Sequence, residues 1–300
     1  MPHLPTRHPR AVLRTLLLVG LSLLGHAEAR ADTAAGLRES YASLGAQLRQ
    51  NAFGRALVLD SSETAQRVQG EIHAVIDAPF ELVGTGLNSP AHWCEVMILH
   101  INTKSCRAVA DAAGARTLQV HVGKKTPQPL ADTDRLDFSY RVAAASPDYL
   151  EILLQAEQGL LGTSDYRIRL AAVALPGSKT FLHLSYAYTT HLAARLALQT
   201  YLHTAGRDKV GFSVTGTGAD GQPERVGGMR GMVERNTMRY YLAIEAWLAA
   251  EQAAPGTRLE HRLQGWFTAV EKYPRQLHEM DRAPYLAMKR AEAARQMDIP

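Results

Sequence analysis

Hydrophobic and polar positions alternate along much of the middle of the chain. Five short segments between residues 116 and 191 show this pattern, and so do residues 67–76. Alternation is typical of β-strands with one buried face. Short connections rich in Pro, Gly, Asp and Ser separate the five segments, which favours an antiparallel meander over a parallel sheet. The apolar positions of the five segments include Leu118, Val120, Leu136, Phe138, Tyr140, Leu150, Ile152, Tyr166, Ile168, Leu182, Leu184, Tyr186 and Tyr188.

Elsewhere, apolar residues recur at the spacing of amphipathic helices. The predicted helices are residues 33–50, 80–103 with a break at Ser89-Pro90, 192–204, 229–251 and 259–270. A possible strand, Val210–Val214, precedes a glycine-rich loop at 215–228. These segments predict a chain that places helices before, within and after its sheet.

Composition and charge restrict the class of protein. Hydrophobic residues make up 46% of the chain and charged residues 21%, as in folded globular proteins. The formal charge of +4 comes largely from four arginines in the first 31 residues, and basic and acidic residues nearly balance in the remainder. Because no run of basic residues is present, we expect no nucleic-acid partner.

Residues 1–31 have the pattern of a secretory signal peptide. Three arginines precede or border an apolar stretch from Thr15 to Gly25, and Ala29-Arg30-Ala31 offers a cleavage site before Asp32. The apolar stretch is about half of the roughly 20 residues that a transmembrane helix needs. We therefore expect export without a stable membrane anchor, to the periplasm if the source is a Gram-negative bacterium.

Cys94 and Cys106 are the two cysteines of the chain. In an oxidising compartment a disulfide between them is favoured. Two free buried thiols are one alternative. A metal site that also uses His92 and His100 is another, but the spacing matches no compact zinc pattern. We expect neither a metal ion nor an organic cofactor.

Two motifs that resemble catalytic signatures lack the usual context. Gly216, Gly218 and Gly221 match G-x-G-x-x-G, but no helix of a βαβ unit follows, so we expect an exposed loop. The string at residues 162–165 is better explained as a hairpin turn than as a nucleophile motif. The remaining candidates are expected to be solvated or hydrogen-bonded in strands (His73, His121, His183 and Glu151) or to lie at a cavity mouth (His191).

The predicted helix 229–251 is dense in polar groups. One interpretation gives Glu234, Arg235 and Arg239 a solvated face. The other lets a stripe of the helix present hydrogen-bonding groups to an apolar pocket, with Arg235 or Arg239 reaching a ligand carboxylate at the rim. The stripe consists of Met232, Asn236, Tyr240 and Ile244.

A local motif resembles the START-like helix-grip superfamily, which includes the polyketide cyclases. The run Ile76-Asp77-Ala78-Pro79-Phe80-Glu81, followed by Pro90 and Trp93, is similar to the first strand, Ala-Pro-x-Glu turn and proline–tryptophan element of that family. Proline suits a helix start, and Glu81 lies near the positive end of the helix dipole. The resemblance implies an α+β helix-grip fold, a curved antiparallel sheet around a long C-terminal helix, with extra N- and C-terminal helices.

Four regions are expected: a signal peptide at 1–31, an N-terminal helical segment at 32–66, the START-like domain at 67–252 and a C-terminal helical extension at 253–300. Helix 229–251 is preferred to 192–204 as the gripped helix because it is longer and carries aromatic residues. The family implies binding of an apolar or amphipathic small molecule, such as a lipid, in an internal cavity. The expected ligand-binding residues are Phe138, Tyr140, Leu184, Tyr186, Tyr188, Met232, Asn236, Tyr240 and Ile244.

Two other functions fit the same sequence. A cyclase- or aromatase-type enzyme of the superfamily would orient a reactive chain by cavity shape and a few polar groups. An envelope interaction protein would use the helical extensions to contact a partner, whose identity stays open. The sequence offers no evident acid–base pair, which favours the binder over the enzyme.

Export predicts a processed N terminus. Expressed in a bacterium with an active secretory pathway, the protein should begin at or near Asp32, because the cleavage site precedes that residue. N-terminal sequencing or the intact mass of the recovered protein measures this. A chain that keeps residues 1–31 and stays inside the cytoplasm would contradict the prediction.

Overall fold

The computed structural model describes Met1 and residues 33–191, 195–196 and 209–298. Its main element is an antiparallel sheet of eight strands, ordered β1-β2-β8-β7-β6-β5-β4-β3. The strands are β1 (Leu57–Glu63), β2 (Arg67–Ile76), β3 (Thr103–Ala110), β4 (Arg116–Val122), β5 (Asp134–Ser146), β6 (Tyr149–Gln158), β7 (Thr163–Leu175) and β8 (Lys179–Thr190). A separate hairpin joins β9 (Val214–Thr217) and β10 (Pro223–Arg225).

Helices lie on both faces of the sheet. They are α1 (Ala34–Ser43), α2 (Gly45–Arg49), α3 (Phe80–Leu87), α4 (Pro90–Met97), α5 (Gly228–Ala250), α6 (Arg258–Val270), α7 (Pro274–Leu277) and α8 (Arg282–Asp298). Within the ranges described, no helix combines the length and the apolar character needed to span a membrane.

The long helix α5 lies against strands β1, β2 and β8. Two glycines allow this close packing. A Cβ atom on Gly70 of β2 would lie 2.4 Å from Thr237 Oγ1, and one on Gly86 of α3 would lie 2.5 Å from the ring of Trp247. Contacts shorter than van der Waals distance force a core to shift, so larger residues at these positions would push α5 away from the sheet.

A second, smaller core lies on the outer face of the sheet. Helices α1 and α2 cover it with Leu37 and Leu48, which pack against Phe181 and Tyr149. The segment before the sheet is therefore held by apolar burial rather than extending into solvent. The main core lies on the opposite face and includes Trp93, Trp247 and Trp266.

The C-terminal helices are joined to the sheet by buried charges. Glu292 of α8 accepts hydrogen bonds from Lys104 of β3 at 2.9 Å and from Lys289 at 2.8 Å, and all three side chains are at most 2% exposed. Lys289 also donates to the backbone oxygens of His100 and Thr103 at 2.7 Å each. Buried charges are retained where such partners satisfy them, so α8 is an integral part of the fold.

The predicted fold class is confirmed: an α+β fold in which an antiparallel sheet packs around the long helix α5. The cysteine pair is also as predicted, with a disulfide that joins Cys94 of α4 to Cys106 of β3. In this state neither sulfur is a free thiol or a thiolate metal ligand. The residue 162–165 string begins at the last residue of the β6–β7 connection, Gly162, and continues into the first three residues of β7.

Several predicted elements differ from the structure. The segment 32–66, expected to be helical, contains strand β1, and its helix is interrupted at Leu44. The segment 80–103 ends its helices at Met97 and starts β3 at Thr103. The strand Val210–Val214 is wrong, because β9 begins at Val214 and pairs within the glycine-rich region. Most of the predicted helix 192–204 lies outside the described residues.

Several charged residues expected in solvent are buried. Glu234 accepts hydrogen bonds from Ser61 Oγ and from the backbone N–H groups of Phe212 and Ser213. Arg235 and Arg239 are at most 5% exposed. The solvated face is therefore wrong for this cluster, because residues 211–213, Val226 and the C-terminal helices cover the side of α5 that faces away from the sheet.

The outer face of the sheet buries Glu151, which was expected in solvent, and also His183. Glu151 accepts a 2.7 Å hydrogen bond from Arg169 and another from Tyr149. His183 is buried, and its ring stacks on His73 with centroids 4.1 Å apart. The prediction of a solvated Glu151 is therefore also wrong, because helices α1 and α2 cover the neighbouring residues on this face of the sheet.

The charge cluster around Glu292 predicts a large loss of stability in Glu292→Gln. Two buried lysines would lose their shared carboxylate, and breaking a buried ion pair typically costs about 3–5 kcal/mol. Glu260→Gln is the matched control, since Glu260 pairs with Arg290 at the surface between α6 and α8, where such pairs contribute about 0–1 kcal/mol. Denaturant unfolding of both variants measures the difference, and equal losses would contradict the prediction.

Candidate functional site

A cavity of about 280 Å³ lies between α5 and the sheet. Its wall is formed by strands β4, β5, β7 and β8, the α4–β3 connection and the β6–β7 turn. The lining residues are His100, Asn102, Thr103, Val120, Val122, Gly123, Leu136, Phe138, Leu160, Leu161, Thr163, Tyr166, Tyr186, Tyr188, Met232, Asn236 and Tyr240. Since a water molecule occupies about 30 Å³ in the liquid, this volume suits a molecule of roughly ten non-hydrogen atoms.

Four tyrosines form one side of the cavity. The ring of Tyr166 stacks on Tyr188 with centroids 5.3 Å apart, and Tyr186 contacts Tyr240 at 5.5 Å. Alternation along β8 places Tyr186 and Tyr188 on the same face of the sheet. Burial raises the pKa of each hydroxyl, so the tyrosines are neutral, and the wall is an apolar surface with uncharged polar groups.

His100 brings a hydrogen-bond donor to the cavity beside Tyr240. The backbone N–H of Asn102 donates to His100 Nδ1 at 3.2 Å, so the proton of the neutral ring is on Nε2. The ring is only 5% exposed and stacks on Tyr240 with centroids 5.0 Å apart. Burial, with the nearby positive charges of Arg239 and Lys289, lowers the pKa of His100 well below 6.5.

Two buried polar atoms at the cavity make no hydrogen bond of normal geometry among the described residues. They are the hydroxyl oxygen of Tyr188 and His100 Nε2, although the neighbouring Asn236 side chain still favours a proton on the His100 ring. Buried polar groups are normally paired, and an unpaired one costs about 1–3 kcal/mol. The cavity therefore presents unused hydrogen-bonding capacity on an otherwise apolar surface, which is the usual construction of a small-molecule site.

Positive charge is concentrated behind the His100 side of the cavity. Arg239 lies 3.4 Å from Asn236 Oδ1 and pairs with Glu279 at 2.7 Å. Lys125 and Lys209 contact the same carboxylate at 2.6 and 3.2 Å. Lys289 binds the carbonyl groups of His100 and Thr103 from behind. The C-terminal extension therefore contributes directly to the surroundings of the cavity.

The exposed side of the cavity is marked by the β6–β7 turn. Leu161 is 66% exposed and lines the cavity. Its φ of 54° lies in the left-handed region that non-glycine residues rarely adopt. An exposed apolar side chain at this position indicates the entrance. His191, expected at a cavity mouth, is exposed and contacts Ser164 at 3.3 Å, but it is not a lining residue.

Six of the nine residues predicted from the sequence line this cavity: Phe138, Tyr186, Tyr188, Met232, Asn236 and Tyr240. Their role in binding stays a prediction. The other three, Tyr140, Leu184 and Ile244, are buried core residues outside it. The reason is that α3 and α4 fill the far end of the groove, where Tyr140 points its hydroxyl at the carbonyl of Leu87.

The sequence pattern does not identify most of the lining residues on the His100 side of the cavity. The spacing of His100 suggests only a metal ligand, although it follows the apolar run Val96-Met97-Ile98-Leu99, which indicates burial. Tyr166 lies in a predicted strand in alternation with Ile168, so its inward direction could have been found. Asn102 and Gly123 belong to connections, whose positions depend on how the strands pack.

The geometry defines a helix-grip protein with a small, aromatic-lined cavity. Neither a family model nor a curated protein matches the chain. Similar solved structures include a START superfamily protein from Mycobacterium smegmatis, with 14% identity, a TM-score of 0.31 and coverage of 47% of this chain and 93% of its own.

Two further solved structures are similar at this level. Human StAR-related lipid transfer protein 5 is 10% identical, with a TM-score of 0.31 and coverage of 58% of this chain and 91% of its own. The Zhui aromatase/cyclase from Streptomyces sp. R1128 is 12% identical, with a TM-score of 0.33 and coverage of 71% and 99%. These similarities concern the fold and carry no function over to this chain.

The environment of His100 predicts a fixed neutral ring. Its pKa lies well below 6.5, so the ring should remain the Nε2–H tautomer between pH 7.5 and pH 5.5. Nitrogen-15 NMR of the histidine side chains measures both the protonation state and the tautomer. A His100 ring that titrates within this interval would contradict the prediction.

Proposed function

We propose that this protein is exported and that it binds a small apolar or amphipathic molecule in the cavity between α5 and the sheet. The observation that carries the proposal is the pairing of an aromatic wall with two unpartnered buried polar atoms, His100 Nε2 and the Tyr188 hydroxyl. A molecule that hydrogen-bonds to them removes the cost of leaving them unpaired. The leader pattern and the disulfide support export.

The size of the cavity limits the ligand. At about 280 Å³, it lies at the lower end of the range for small-molecule pockets, roughly 300–1,000 Å³. The ligand is therefore a small molecule, or a single apolar group of a larger one. Burial of its apolar surface contributes about 25 cal/mol per Å².

A second candidate function is catalysis of the cyclase type. The observation that favours it is the donor at His100 Nε2, because a fixed donor in a dry site stabilises negative charge at a reacting carbonyl oxygen. The described residues that line the cavity include no aspartate or glutamate. Such an enzyme would depend on orientation and hydrogen bonding. Turnover of a bound polyketide-like substrate would distinguish this function from binding alone.

A cavity-filling substitution tests the binding function. Val120 of β4 lines the cavity and is 3% exposed, so the larger ring in Val120→Phe should occupy ligand space. We expect mass spectrometry of solvent extracts to find a small molecule in the purified wild-type protein and to lose it in this variant. Because the ring enters existing space, the melting temperature should not fall.

Val214→Phe is the matched control, since Val214 is 58% exposed on the β9–β10 hairpin; this variant should retain the molecule. Two outcomes would contradict the proposal. One is the same molecule at the same amount in Val120→Phe. The other is a wild-type protein without any bound molecule together with a more stable Val120→Phe, which would show an unfilled packing defect.

A further inference from the structure

We propose that the molecule held in the cavity is an anion, a carboxylate of roughly ten non-hydrogen atoms whose charged group lies against His100 Nε2–H and whose apolar part lies among the tyrosines. This inference rests on the proposed binding function and adds the chemical class and the orientation of the ligand. Its basis is an excess of positive charge on one side of the cavity, beside a donor that has no partner.

The count of charges around the His100 wall is unequal. Five cationic side chains share two carboxylates, those of Glu279 and Glu292. The cationic residues are Lys104, Lys125, Lys209, Arg239 and Lys289. Lys125 and Lys209 are 35% and 33% exposed, so water stabilises part of their charge. The three buried cations, Lys104, Arg239 and Lys289, outnumber the two carboxylates by one. Buried charges are normally paired, so a bound anion would compensate this remaining positive charge.

These cationic side chains form two groups, and both groups lie close to residues that line the cavity. Lys289 contacts the backbone of His100 and Thr103, both of which line the cavity. Burial lowers the pKa of Lys289 to about 8, so the amine is still mostly charged at pH 7. In the second group, Arg239 contacts the lining residue Asn236, and Lys125 follows the lining residue Gly123 by two positions in the sequence.

The surroundings of His100 and of Tyr188 give the orientation. Burial first, and then the positive charges of Arg239, Lys289 and Lys125, lower the pKa of the His100 ring. At Tyr188, burial raises the pKa of the hydroxyl, Tyr166 and Glu63 raise it further, and the positive charge of Arg235 lowers it. Because Lys289 contacts the His100 backbone and Arg239 contacts Asn236, the cations lie on the His100 side, and we place the charged group of the ligand there.

Isosteric pairs of ligands test the charge directly. Octanoate and octanamide each have ten non-hydrogen atoms and differ in charge; 3-phenylpropanoate and 3-phenylpropanamide are the aromatic equivalents. We expect isothermal titration at pH 7 and low salt to give at least tenfold tighter binding of a carboxylate than of its amide. The better of the two carboxylates then identifies an aliphatic or an aromatic acid as the preferred source of the group.

Two variants assign the effect to its residues. Lys125→Gln changes a side chain that is 35% exposed, so the fold should persist, and octanoate binding should weaken severalfold without a change for octanamide. Lys179→Gln is the matched control, because Lys179 pairs with Asp77 at the surface outside the residues that line the cavity. His100→Leu should remove the preference for the carboxylate, with circular dichroism as the check on folding.

The outcomes separate this inference from the proposed function. The proposal that the ligand is an anion would be overturned by amides that bind as tightly as their acids, or by a neutral molecule extracted from the purified protein. Either result would leave the proposed binding function intact. The absence of binding by all four probes, in a protein that carries no co-purified molecule, would overturn both. An equal effect of Lys125→Gln and Lys179→Gln would show a general surface-charge effect and would also overturn the inference.

Discussion

The close contact between helix α5 and strand β2 determines where this fold has space for a ligand. Gly70 has no side chain, so Thr237 of α5 packs directly on the strand, and the helix lies on the side of the sheet formed by β1, β2 and β8. The sheet is wider than one helix. A gap therefore remains between α5 and strands β4 and β5, and side chains from both sides line it. The far end of this gap is closed where Trp247 packs on Gly86. The cavity follows from the position of this contact.

The sequence predicted those strands and helices that have one solvent-exposed and one buried face. Strand β2 alternates strictly between buried and partly exposed residues, and its pattern was recognised. Strand β3 was missed because its first four residues, Thr103 to Cys106, are all buried, with α8 contacting the strand. Strand β1 was missed because its sequence, Leu-Val-Leu-Asp-Ser-Ser-Glu, is polar at one end. Alternation disappears when a strand is covered on both faces or lies at a sheet edge.

The elements that cover α5 on the side away from the sheet also explain why the burial of its charged residues was not predicted. In a sheet-and-helix fold of two layers, Glu234 and Arg239 would face solvent, as their polarity suggests. Here Glu234 binds the backbone of Phe212 and Ser213, while Arg239 binds Glu279 after α7. Both partners are distant in sequence, and hydrophobic periodicity carries no information about them. The inward stripe of α5 was predictable over Met232, Asn236 and Tyr240, because that stripe depends only on helical geometry.

The C-terminal extension changes the character of the cavity without entering it. The tyrosines come from the sheet and α5, and they would form an apolar site on their own. The extension adds Glu279, Lys289 and Glu292 behind the wall that contains His100, where low local polarity strengthens the effect of each charge. Its two carboxylates pair with Lys104 of β3 and Arg239 of α5, while Lys289 donates to the backbone of His100 and Thr103. The extension therefore balances the cations of the sheet and α5, and it fixes the backbone that positions the His100 ring.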